Sequence, residues 1–287
     1  MFVYKKIKNI KTRYVILGKG KPYIIIPGWR TDIERVYPFL EFLSDYYKVY
    51  CLDLPGTGKT EKLKKHTIEN YSLFVNEWLK SLNLKNFVFS GISMCSQIVT
   101  LSLLNDEIYK KTKLVILWLP FYDYSSLRLN KLKIISVKKV SLLLSKIPFS
   151  NIGEKIYKSE KLMKLIINIF EKGKEAKKLK KPENLKYHLQ SFKKASFKVT
   201  METLHSMFNI DFNKKIKNKY NKKTYLLISK KDPLIDYKKT IYGYNKIYSN
   251  LKAITFNYEF HSPREVITKE YINKKFKKYF KKILEEL

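Results

Sequence analysis

Residues 90–97 read Ser90-Gly91-Ile92-Ser93-Met94-Cys95-Ser96-Gln97 (SGISMCSQ), and their position between two patterns decides the fold. Upstream, NFVFSG (86–91) is a short apolar run of β-formers closed by glycine. Downstream, SMCSQIVTLSLLN (93–105) takes up helical spacing. Ser93 therefore falls on a strand-to-helix turn. A sharp turn there needs small residues two positions to either side, or strand and helix collide. Gly91 meets that demand, and Cys95 and Ser96 are small. A serine on such a bend is thrust out of the sheet. The helix N-terminus behind it offers N–H groups and a positive dipole end to a developing oxyanion.

Working outward, the same alternation repeats. TRYVILG (12–18), PYIIIPG (22–28), KVYCLDLPG (48–56) and KLVILWLP (113–120) are strand-like. IERVYPFLEFLSDYY (33–47) and ENYSLFVNEWLKSLNL (69–84) carry apolar residues at helical spacing, with stripes Val36-Leu40-Leu43-Tyr47 and Tyr71-Phe74-Trp78-Leu82. Nearly continuous apolar strands separated by helices predict a mostly parallel sheet covered on both faces. From Phe121 onward the pattern is helical, with lysine-rich connectors and no convincing strand before residue 224. Strand and helix then resume with TYLLIS (224–229), YKKTIYGYNKIYS (237–249) and LKAITF (251–256). A last amphipathic helix carries Phe276, Tyr279, Phe280, Ile283 and Leu287 on one face. The expected organisation is an α/β core of residues 1–120 and 221–287, interrupted by a helical insertion of residues 121–220.

The chain has 287 residues and a formal net charge of +34. Only five of its 59 basic residues are arginine: Arg13, Arg30, Arg35, Arg128 and Arg264. Lysine spread from end to end, with much isoleucine, asparagine and tyrosine, is the signature of an AT-rich genome. Specific nucleic-acid reading favours arginine forks and is not expected here. The field would still speed encounter with anionic partners. The two cysteines, Cys51 and Cys95, lie in apolar runs and make no disulfide framework. The N-terminus has no apolar leader pattern, and no apolar run reaches membrane-span length. A soluble cytoplasmic protein is expected.

The segment DLPGTGKT (53–60) superficially matches a phosphate-binding loop. Counting back from Gly58, Lys59 and Thr60, the loop's first glycine is replaced by Asp53, whose carboxylate would repel the anion.

Together these motifs resemble the α/β-hydrolase superfamily. SGISMCSQ looks like its nucleophile elbow, with Ser93 as nucleophile. IIIPGW (24–29) looks like the loop after the third strand, and VYCLDLPGTGKTEK (49–62) like the fourth strand and its D-x-P-G-x-G turn. The resemblance implies an eight-stranded, mostly parallel sheet with a helical cap inserted after strand six. It implies His261, in NYEFHSPREV (257–266), as the catalytic base, and Asp232, in LLISKKDPLID (226–236), as the acid that orients it. Asp123, just after KLVILWLP, is the alternative acid. The backbone N–H groups of Trp29 and Met94 would form the oxyanion hole. Four positions depart from the family's pattern: Pro27 replaces a histidine, Cys95 and Ser96 replace glycines, and Ser229 replaces a glycine.

The function this implies is a serine hydrolase cleaving a carboxylic ester or thioester with an apolar acyl part. Ser93, Asp232 and His261 follow the family's chain order, and neither metal nor organic cofactor is required. Two alternatives stand beside it. One is hydrolysis of an ester carried on an acidic acyl carrier protein, which the positive charge would attract. The other is a non-catalytic binding protein built on the same fold. His188 and His205 fall in the inserted helices, and His66 in a lysine-rich loop expected to be solvated. The apolar faces Leu142-Leu143-Leu144 and Leu162-Leu165-Ile166-Ile169 are expected to cover the site and line an acyl channel.

Overall fold

The computed structural model describes residues 1–164, 174–179, 181–192, 194–263 and 265–284. Five parallel strands form the middle and one flank of the sheet: β3 (Pro22–Ile26), β4 (Lys48–Leu52), β5 (Phe87–Ile92), β6 (Thr112–Trp118) and β7 (Thr224–Ser229). Parallel β8 (Leu251–Phe256) closes that flank. The order is β1-β2-β4-β3-β5-β6-β7-β8, with β1 (Phe2–Ile7) and β2 (Ile10–Leu17) running as an antiparallel hairpin at the other end.

The apolar runs work because both faces of the sheet are covered. Successive residues of β3 alternate between two cores. Ile24 and Ile26 join Phe89, Val115, Leu117 and Leu226 under α2 (Ile68–Leu82) and α3 (Cys95–Ser102). Tyr23 and Ile25 join Val49, Cys51, Ile116 and Leu227 under α1 (Ile33–Ser44) and the C-terminal helix (Lys269–Leu284). That last helix inserts Phe276, Phe280 and Ile283 into the second core, as its stripe predicts; Leu287 lies outside the described residues. Asp32 and Thr67 cap α1 and α2 by accepting from Arg35 N and Asn70 N, and Asn83 ends α2 at φ +49°.

The turn 53–60 is a structural knot. Asp53 is fully buried and accepts from Ile33 N (2.9 Å), Lys59 N (2.9 Å) and Arg13 Nε (2.6 Å). Its carboxylate fills the space above Gly58, where an added Cβ would lie 2.3 Å from Asp53 Oδ2 at φ +58°. The protein's own acid thus occupies the cradle that a phosphate would need, and the next helix begins only at Ile68. Gly58→Ala combines a left-handed backbone with a clash against a buried charge. It should lower unfolding stability by about 3 kcal/mol in urea titration.

His66, expected in solvent, is instead buried at 3% exposure. Its ring lies against Gly56, where a Cβ would come within 2.7 Å of it, and Nδ1 meets Tyr71 Oη at 2.9 Å. The connector folds inward because this ring fills the gap beside the Pro55-Gly56 turn. Burial, with Lys62 and Lys198 nearby, pushes His66 down to about 4 from an ordinary 6.5. Between these values the unfolded chain takes up a proton that the folded chain refuses. Stability should therefore fall as pH drops from about 6.5 toward 4, and Tm measured across that window should fall less steeply in His66→Gln.

Helix α4 (Asp106–Lys111) leads into β6, and between β6 and β7 the helices described are α5 (Lys131–Ser145), α6 (Phe149–Lys158), α7 (Lys174–Leu179), α8 (Pro182–Phe192), α9 (Phe197–Asn209) and α10 (Phe212–Lys215). Helix α9 packs on α5 and α6. The insertion is pinned to the core where Lys194 Nζ meets buried Asp32 at 2.7 Å and Lys194 O accepts from Gly58 N at 2.9 Å. The outward leucines correct one expectation. Helix α5 buries Ile134, Ser141 and Ser145, so Leu142 and Leu143 face solvent, as does Leu162. A serine face permits closer packing on α9 than a leucine face would. Leu165, Ile166 and Ile169 lie outside the described residues. After β7 come α11 (Tyr237–Asn245), β8 and the C-terminal helix, α12 (Lys269–Leu284). Among the described residues, no helix is long and apolar enough to cross a membrane.

Candidate active site

Ser93 ends β5 at φ +52°, in the left-handed region that non-glycine residues avoid at a cost of about 1–2 kcal/mol. The surroundings hold it there. Ser93 N donates to Trp118 O (2.8 Å) on the neighbouring strand, and Ser93 O accepts from Ser96 N (3.0 Å) and Phe121 N (3.2 Å). Gly91 makes the bend sterically feasible: an added Cβ would lie 2.5 Å from Cys95 O, a backbone atom. Gly91→Ala must push α3 off the sheet. It should cost about 2–3 kcal/mol of stability and depress turnover together with it, as thermal melts and kinetics would show.

Two of the departures from the family's pattern meet in one contact. Cys95 Sγ donates to Pro27 O at 2.7 Å. Cys95 is fully buried, and burial pushes its thiol well up. It is a packed thiol tying the elbow to the loop after β3, the opposite of an exposed, activated nucleophile. One turn on, buried Gln97 ties α3 to the insertion by donating to Tyr122 O (2.8 Å) and Met207 O (3.1 Å).

The loops after β7 and β8 deliver the other two side chains. Ser93 Oγ lies 2.8 Å from His261 Nε2, and His261 Nδ1 lies 2.7 Å from Asp232 Oδ2. Asp232 Oδ1 accepts from Leu234 N (2.8 Å) and Ile235 N (3.0 Å), so both carboxylate oxygens are held. Ser229, where the family writes glycine, clasps the two loops together. Its Oγ donates to Tyr258 O (2.6 Å) and accepts from Tyr258 N (2.8 Å). Sequence reading gave Ser229 no role; the cue was a hydroxyl at the end of one strand facing the end of the next.

The other candidates sit elsewhere. Asp123 caps the short turn Tyr124–Ser126, accepting from Ser125 N at 2.8 Å. His205 Nδ1 faces Lys138 O inside the insertion at 2.9 Å. His188, on α8, lies on the cavity wall with Nδ1 3.2 Å from Arg35 Nη2. Trp29 and Met94 flank Ser93 on that wall. Among the described residues, no protein acceptor takes the backbone N–H of either. No cluster of three His, Cys, Asp or Glu side chains suited to a metal occurs among the described residues.

The cavity above Ser93 measures ≈ 1170 Å³. The core contributes Phe39, Trp118 and Phe276, and the insertion contributes Val137, Leu179, Leu204, Met207 and Phe208. These differ from the leucines expected from sequence. Apart from Leu179 on α7, they are the residues left facing inward once α5 and α9 have packed.

No family model matches the chain. Over 93 residues it is 32% identical to the (E)-2-((N-methylformamido)methylene)succinate hydrolase of Acinetobacter baylyi, a match spanning 32% of this chain and 35% of that relative. The match therefore covers about a third of the relative's length. A bromoperoxidase from Bacillus anthracis superposes with TM-score 0.72 at 18% identity, over 99% of this chain and 98% of its own. An esterase from Exiguobacterium antarcticum superposes with TM-score 0.69 at 16% identity, over 100% of this chain and 99% of its own. The strand order, the elbow after β5 and these superpositions agree that the chain has the α/β-hydrolase fold.

Proposed function

We infer that the chain is a serine hydrolase acting on a carboxylic ester or thioester with an apolar acyl part. The observation that carries this reading is the unbroken hydrogen-bonded line from Ser93 Oγ through His261 to Asp232, at 2.8 and 2.7 Å, opening on an apolar cavity. In this reading Ser93 Oγ attacks the acyl carbon while its proton passes to His261 Nε2. The N–H groups of Trp29 and Met94 receive the oxyanion. The tetrahedral species collapses, and the leaving group departs with the proton from the imidazolium. Water then attacks the acyl-enzyme by the same route and frees Ser93. Residues 121–220 act as a cap that keeps bulk water from the acyl chain. The hydrolase name of the curated relative supports a hydrolytic reading.

A fluorophosphonate probe tests this, since it phosphonylates an activated serine and leaves an ordinary one unmodified. Peptide mapping should place the adduct on Ser93, and His261→Ala should abolish labelling. A folded wild type that stays unlabelled refutes the reading.

A further inference from the structure

The charged groups of the cavity are distributed in an unexpected way. Arg30 and Arg35 line it with His188, and the only carboxylate among its described lining residues is Glu259. Glu259 sits at the rim, 66% exposed, facing Lys231 Nζ at 3.4 Å.

The choice of arginine is informative in this chain, where lysine supplies nearly all the positive charge. Two of the other arginines do work that needs a planar fork. Arg13 bridges Glu34 and Asp53, and Arg128 donates to the carbonyls of Ile235 and Lys230. Arg264 lies outside the described residues. Arg30 and Arg35 are the pair placed in the cavity.

The backbone presents Arg30 at a cost. Gly28 to Thr31 form a turn closed by Thr31 N to Gly28 O (3.1 Å), and Arg30 occupies its third position at φ +56°, where glycine is the usual resident. Its guanidinium lies 4.8 Å from the Trp29 ring centre, and Nη1 donates to Tyr157 Oη on α6 at 3.1 Å. Arg35, in the first turn of α1, stacks over Tyr187 at 4.3 Å and donates to Tyr187 O at 3.3 Å. Both guanidinia are therefore fixed in direction by aromatic and insertion contacts. Each guanidinium carries five donors in a planar fork, the geometry that matches a carboxylate. Walls of Phe39, Trp118, Leu179 and Phe208 lower the local dielectric and strengthen any anion contact made there.

We propose that Arg30 and Arg35 form a carboxylate seat, so that the substrate is an ester or thioester whose acyl part ends in a carboxylate. This rests on the serine-hydrolase reading and narrows it from neutral esters to hemiesters of dicarboxylic acids. In this seat the apolar walls hold the methylene chain that links the acyl carbon at Ser93 to the carboxylate at the guanidinia.

The test compares p-nitrophenyl hemiesters of dicarboxylic acids, graded from adipate to sebacate, with the corresponding p-nitrophenyl methyl diesters. At the favoured length, wild type should prefer the hemiester by about 10–100-fold in kcat/KM, expressed mainly in KM. Arg30→Gln and Arg35→Gln should erase that preference while retaining diester turnover and fluorophosphonate labelling. Arg30→Lys and Arg35→Lys keep the charge without the fork and should recover only part of it, which separates the seat from misfolding of a Gln variant. The preference should survive 0.5 M NaCl, whereas attraction by the surface field would be screened within roughly 4–5 Å. Wild type preferring the diester at every length would overturn the seat. So would salt abolishing the preference, or the variants losing both ester types equally. Failure of wild type to label would refute the serine reading itself, a distinct outcome.

Discussion

Ser93→Ala is expected to lower kcat by about four to six orders of magnitude while leaving the protein folded. The size of the loss follows from the line of contacts. On the proposed serine-hydrolase reading, removing Oγ leaves His261 with nothing to deprotonate and the acyl group with no covalent acceptor. The fold survives because the elbow is held by backbone bonds from Ser93 N and to Ser93 O, none of which involves the side chain. Steady-state hydrolysis of the favoured ester, with a thermal melt as control, checks both halves. A Ser93→Ala enzyme that retains a tenth of wild-type turnover would move the chemistry to another group.

Asp232→Asn is expected to cost about four orders of magnitude in kcat with little change in stability. The reason lies in its two oxygens. Oδ1 accepts from Leu234 N and Ile235 N, and Oδ2 accepts from His261 Nδ1. In asparagine the carbonyl oxygen must stay with the two backbone donors, so the amide NH2 turns toward the imidazole. Nδ1 then becomes an acceptor, the ring proton moves to Nε2, and Nε2 can no longer take the Ser93 proton. Asp123→Asn is the control, since Asp123 serves only the turn at Ser125, and its turnover should match wild type. Equal losses in the two variants would remove Asp232 from the orienting role.

The elbow was legible because its steric logic is local. A strand, a serine flanked by small residues and a helix span eight residues, and Gly91 reports the bend directly. The buried strands were legible for the same reason, as apolar runs ended by glycine or proline. The first strand was not. Phe2–Ile7 lies at the sheet edge and buries only Ile7, and its turn is Lys8-Asn9, both at positive φ, without the glycine that usually marks a tight hairpin. The helix Asp106–Lys111 was too short to show a period, and it was missed too.

Contacts between distant segments were beyond sequence reading. That Cys95 answers Pro27, two departures separated by 68 residues, could not be inferred from either alone. His66 looked solvated because its neighbours in sequence are lysines, yet its ring fills the gap beside Gly56. The leucines of α5 looked like channel walls because periodicity marks an apolar stripe but not which neighbour it meets. The structure turned the serine face inward and gave the cavity to Val137, Leu204, Met207 and Phe208.

The sequence by itself determined the strand-helix alternation, the place of the insertion and the elbow at Ser93, because each is encoded by short-range pattern; His261 and the choice between Asp232 and Asp123 followed only from the resemblance. Only the tertiary structure decided which acid meets the histidine, which faces line the cavity, and that Arg30 and Arg35 reach it. Those depend on side-chain packing between separate segments, 29 residues apart for Asp232 and His261 and more than a hundred for the arginines and the insertion, and hydrophobic periodicity carries no information about partners.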